Sequence, residues 1–111
     1  MIKIPKTKLK NIASKHVFFD SEGYWLPEKL NHSDKHVLFS LLDITKGDFS
    51  KKAIKIVYNL VKDKEGNKMF NKQFGDFNKV YELLKKHEVI TITSLIDEIS
   101  LSYGEELKNG H

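Results

Sequence analysis

A chain of 111 residues, 40% apolar and 31% charged, has the length and composition of one globular domain with a single hydrophobic core. It has no cysteine, hence no disulfide framework, zinc–thiolate site or thiol nucleophile, and no apolar run approaches the roughly 18 residues of a membrane span. The formal net charge of +4 rests on lysine alone, since all 19 basic residues are Lys; without Arg, bidentate guanine readout and sequence-specific DNA binding are disfavoured.

Met1 to Ser14 alternates Ile2, Ile4, Leu9 and Ile12 with Lys3, Lys6, Lys8 and Lys10, and Pro5 interrupts any long regular element. The reading is a partly ordered basic arm over residues 1–16, in which Lys3, Lys6, Lys8, Lys10 and Lys15 are available to a polyanion. These five precede the first acid, Asp20, and the remainder holds 14 lysines against 15 acids, so the basic character is concentrated in the arm. Nucleic-acid binding through it is expected to be weak, non-specific and sensitive to salt. The segment also lacks the apolar core of a signal peptide, which points to the cytoplasm.

Val17-Phe18-Phe19-Asp20 and Tyr24-Trp25-Leu26 flank the polar Ser21-Glu22-Gly23 and read as a β-hairpin, closed by Pro27. Its large apolar side chains exceed what one hairpin face buries, so they pack on helices or, as Tyr24 with Trp25, form a contact surface. Asn31, Ser33 and Asp34 are N-cap residues, and Val37, Leu38, Leu41 and Leu42 make one helical face that ends by Gly47. Ser50 to Val61 fits both periods: Ile54, Ile56, Tyr58 and Leu60 alternate, while Ala53, Val57, Leu60 and Val61 form a helical stripe. Length favours a buried helix.

Asp63-Lys64-Glu65-Gly66-Asn67 is a charged turn that returns the chain through Met69-Phe70. Phe70, Phe74 and Phe77, then Val80, Tyr81 and Leu84, predict a short helical turn and a helix from about Asp76 to Lys86. Glu88 to Thr93 has strand propensity, and Val89 to Thr93 is left open between a strand and the first turn of the last helix. Ser94-Leu95-Ile96-Asp97 resembles a capping-box start, continued by Ile96, Ile99 and Leu101. The expected fold is α+β and mostly helical, an N-terminal β-hairpin followed by a bundle of about four short helices. One globular domain spans 17–102, and 103–111 is a polar tail.

No catalytic constellation emerges. His32 and His36 lie four apart at a helix start but lack a third ligand, so no metal is expected. The 63–67 turn fails as a calcium loop, because Gly66 falls in the fourth position and Phe74 stands where a bidentate Glu is needed. His87 and Glu88 sit in no nucleophile elbow, and phosphate-loop and dinucleotide fingerprints are missing. The expectation is a non-enzymatic protein without cofactor.

From Gly23 onward the order of features resembles the tail assembly chaperones of long-tailed bacteriophages. The pieces that carry the resemblance are Leu30-Asn31-His32-Ser33-Asp34, the helix from Ala53 to Val61, the turn Asp63 to Asn67 with Lys68-Met69-Phe70, and Ile96 to Leu101-Ser102. Asn71-Lys72-Gln73 and the basic arm depart from that pattern. The resemblance implies a cytoplasmic scaffold in a bacterial host that binds tape-measure and tail-tube proteins through an apolar surface and self-associates along its partner. Tyr24, Trp25, Phe70 and Phe74 are the candidate partner contacts. Two other classes are compatible with the composition: a small Lys-rich nucleic-acid-associated protein, and a small phage inhibitor of a host protein.

Overall fold

A computed structural model of the chain describes residues 1–5, 22–41 and 49–104. The order is β1 (Ile2–Pro5), β2 (Gly23–Leu26), α1 (His32–Leu41), α2 (Phe49–Leu60), α3 (Met69–Phe74), α4 (Phe77–His87) and α5 (Val89–Ser102). The fold is α+β as expected: among the described residues, a two-stranded antiparallel sheet is followed by five helices.

Tyr24 to Leu26 is a strand, but its partner is Ile2–Pro5, in a register running from Ile2 opposite Leu26 to Pro5 opposite Gly23. Val17 to Asp20 lies outside the described residues. The alternation of Ile2 and Ile4 with Lys3, read as an arm, is the period-two pattern of a strand with one face buried. Ile4 is buried in the core, Ile2 packs against it, and Lys3 is exposed. The first residues of the basic segment thus belong to the sheet. Pro5 is tolerated because it ends the strand.

On its other edge β2 is extended by single bridges. Trp25 and Lys62 exchange both backbone hydrogen bonds, at 2.9 and 2.8 Å, and Lys62 in turn bridges Lys68. Residues 63–67 therefore form a tight loop between two bridged positions. Gly66 takes φ +88°, which L-residues rarely adopt.

α2 is the central helix and packs against α1, α4 and α5. Ala53, Ile54, Ile56, Val57, Tyr58, Leu60 and Val61 are all buried, while Lys51, Lys52 and Lys55 face solvent. The apolar arc is wide enough that apolar residues also fall at alternate positions, while Lys51, Lys52 and Lys55 share the remaining polar side.

α1 is capped as expected, with the Asp34 N–H donating to Asn31 Oδ1 at 2.7 Å. Asp76 caps α4, accepting from the Lys79 N–H at 3.1 Å. The residues left open, Val89 to Thr93, are helical, and Ser94 to Asp97 lies inside α5 instead of starting it. Burial of Thr91, Ile92, Leu95, Ile96 and Ile99 along one stripe outweighs the β propensity of Val-Ile-Thr-Ile-Thr. Tyr103, assigned above to the polar tail, is buried, and its hydroxyl donates to the Pro27 carbonyl.

Candidate functional site

The four aromatic residues read as partner contacts lie largely inside the fold. Tyr24 and Phe70 have 0% exposure and Trp25 has 9%. Phe74 is half-buried and stacks on Phe70 with ring centroids 6.5 Å apart. β2 is paired with β1 along one edge and bridged to Lys62 on the other, and all four of its residues are buried. Burial, then the Glu98 carboxylate and Tyr103, push the Tyr24 phenol well above its ordinary range.

Of the five lysines assigned to a polyanion, only Lys3 is described. Its ammonium lies 3.5 Å from Glu22 Oε1 and 5.9 Å from the centre of the Trp25 ring, so it is already engaged at the sheet. Lys6, Lys8, Lys10 and Lys15 lie outside the described residues.

The 63–67 turn is held by its own side chain. Asp63 is buried, and its Oδ1 accepts from the N–H groups of Glu65 at 3.0 Å and Asn67 at 2.9 Å. Oδ2 accepts from Lys72 Nζ at 3.3 Å. Burial pushes this carboxyl up, but the Asn67 N–H, the Lys72 ammonium and the Glu65 N–H outweigh it and hold the group below its usual range. With both oxygens engaged, the role of Asp63 is structural. His32 and His36 are exposed at the start of α1, and among the described residues no three His, Asp or Glu side chains converge as metal ligands.

Two surfaces stand out that the residue pattern did not single out. The first is the outer face of α5, where Val89 is 57% exposed, Ile90 80% and Leu101 76%. Ile90 and Leu101 are 11 residues apart on this helix. That is three turns, so the two lie on one line about 16 Å apart. Thr93 and Asp97, also exposed, lie between them.

The second surface runs between α2 and α4. Lys51, Lys55, Lys68 and Lys85 place their ammonium groups over the rings of Tyr81, Phe77, Tyr58 and Tyr81 respectively. Lys51 with Lys55, and Phe77 with Tyr81, each sit at i, i+4, the spacing that would have marked matching faces on two helices. The partnership of those two faces is what the sequence does not state. Comparison of the chain with protein-family models, with curated proteins and with solved structures finds no match.

Proposed function

We propose that this chain acts by binding another protein, as a tail assembly chaperone of a long-tailed bacteriophage. It would hold a tape-measure protein in the host cytoplasm and present it to tail-tube subunits. The residue pattern over 23–102 supports the family. The observation that carries the binding role is the pair of apolar anchors, Ile90 and Leu101, on one line of α5.

The magnitudes favour a multivalent mode. Burying two such side chains yields about 3–6 kcal/mol in total. Association costs at least about 4 kcal/mol in lost freedom, so one copy holds its partner weakly. Several copies side by side on a long partner gain avidity without new kinds of contact.

The test is co-expression with tape-measure and tail-tube proteins of a long-tailed phage, followed by capture at moderate salt. Capture that survives salt and is lost in Ile90→Asp/Leu101→Asp, with unchanged circular dichroism, is the expected result. No capture of either protein at any salt, or capture indifferent to the double variant, removes the proposal.

A further inference from the structure

We infer that the face where α2 packs against α4 binds single-stranded nucleic acid, a surface separate from the basic N-terminal segment and independent of the α5 reading. The rings of Tyr81, Phe77 and the buried Tyr58 follow one another where α4 meets α2. Centroids are 5.9 Å apart from Tyr81 to Phe77 and 5.6 Å from Phe77 to Tyr58. Phe77 and Tyr81 are only partly buried. Lys51 and Lys85 approach Tyr81 at 6.0 and 4.7 Å, Lys55 approaches Phe77 at 5.6 Å, and Lys68 approaches Tyr58 at 5.0 Å. Glu82, 3.1 Å from Lys85 Nζ, offsets one of these charges. Among the described residues neither Lys51 nor Lys55 has a carboxylate within ion-pair distance.

The orientation of the rings decides which polyanion fits. Cations over the centroids mean that ring faces, not edges, are turned towards the lysine stems. An aromatic face is the negative part of the ring quadrupole, so it offers nothing to a carboxylate. An acidic polypeptide would use the lysines alone. A single strand uses both halves: phosphates draw the ammonium groups outward, and bases take the places that Lys51, Lys55 and Lys85 leave over Tyr81 and Phe77. In a duplex the bases are already stacked and the faces go unused. The absence of Arg fits binding without base-specific readout.

The experiment is fluorescence anisotropy of a labelled oligothymidylate titrated with the full chain over a range of salt. With four lysines engaged, the slope of log K against log salt is expected near −3, from about −0.7 per contact on single strands. Lys51→Gln/Lys55→Gln, two exposed positions, should reduce that slope by about 1.4. Tyr81→Leu, which keeps apolar bulk, should weaken binding about 5- to 150-fold and leave the slope unchanged. Replacing Lys6, Lys8, Lys10 and Lys15 by Gln should preserve most of the affinity. The inference is overturned by absence of binding at low salt, or by loss of binding in that four-lysine variant. It is equally overturned if polyglutamate or duplex competes as well as the oligothymidylate, or if Tyr81→Leu binds like the parent.

Discussion

Asp63→Ala is the sharpest probe of the unit that joins α2 to α3. It deletes an acceptor that serves two backbone N–H groups and one ammonium. A hydrogen bond to a charged group contributes about 1.5–3 kcal/mol net. Glu65 and Asn67 are exposed, so water replaces part of what their N–H groups lose. The Lys72 side chain is 65% exposed, and its ion pair adds less than about 1 kcal/mol. The expected loss is then about 2–3 kcal/mol for Asp63→Ala, and about 1 kcal/mol for Asp63→Asn, which keeps one oxygen. Urea unfolding followed by far-ultraviolet circular dichroism reads this as a midpoint shift of about 1 M for Asp63→Ala.

The pH dependence has a defined sign. The folded carboxyl titrates below its ordinary range, so its contribution is complete above the unfolded value of about 3.9. It is lost as pH falls through the folded value. The gap between the parent chain and Asp63→Asn should therefore narrow progressively below about pH 4. A loss under about 0.5 kcal/mol for Asp63→Ala, or a gap that widens in acid, would refute the assignment of Asp63 as the clamp of this turn.

Phe70→Ala empties a fully buried ring site and should cost about 3–5 kcal/mol. The melting temperature should fall by more than about 10 °C, and a shift of a degree or two would show that the site closes around the gap. Tyr24, whose phenol is kept neutral by burial, should make the fold sensitive to base. Stability declines above about pH 10 as the unfolded chain ionises, and Tyr24→Phe should flatten that decline. If alkaline unfolding curves of the two proteins superimpose, Tyr24 is not the responsible group. Gly66→Ala places a Cβ only 3.8 Å from the Met1 methyl, an ordinary contact, so its cost is the backbone strain of φ +88°. A loss of about 1 kcal/mol in the same urea assay is expected, and a gain in stability would contradict the left-handed geometry.

Features set by neighbours in the chain were legible from residue identity. Asn31, Asp76 and the 63–67 turn announce themselves because each side chain bonds a backbone N–H a few positions on. Features set by distant partners were not. The strand Tyr24 to Leu26 was recognisable, yet its pairing with Ile2–Pro5 closes a loop whose ends no local pattern links. Tyr24 and Trp25 looked surplus to a hairpin because the elements that enclose them, β1 and Lys62, were not assigned to the sheet. The contacts of Lys51 and Lys55 with Tyr81 and Phe77 likewise exist only once α2 and α4 are packed together.

α2 shows how an ambiguous pattern can itself be informative. Ile54, Ile56 and Tyr58 satisfied a strand, and Ala53, Val57 and Val61 satisfied a helix, because all six are buried. A surface helix exposes at least half its circumference and keeps one apolar stripe. A segment of helical length that satisfies both periods at once has apolar residues on most sides, so it must be wrapped by other elements. Its few exposed positions then carry unusual weight, since they are the only places where such a helix meets solvent. In this chain Lys51 and Lys55 are two of those positions, each set over a ring of α4. The helix packed against α1, α4 and α5 therefore also supplies two of the lysines set over aromatic rings of α4.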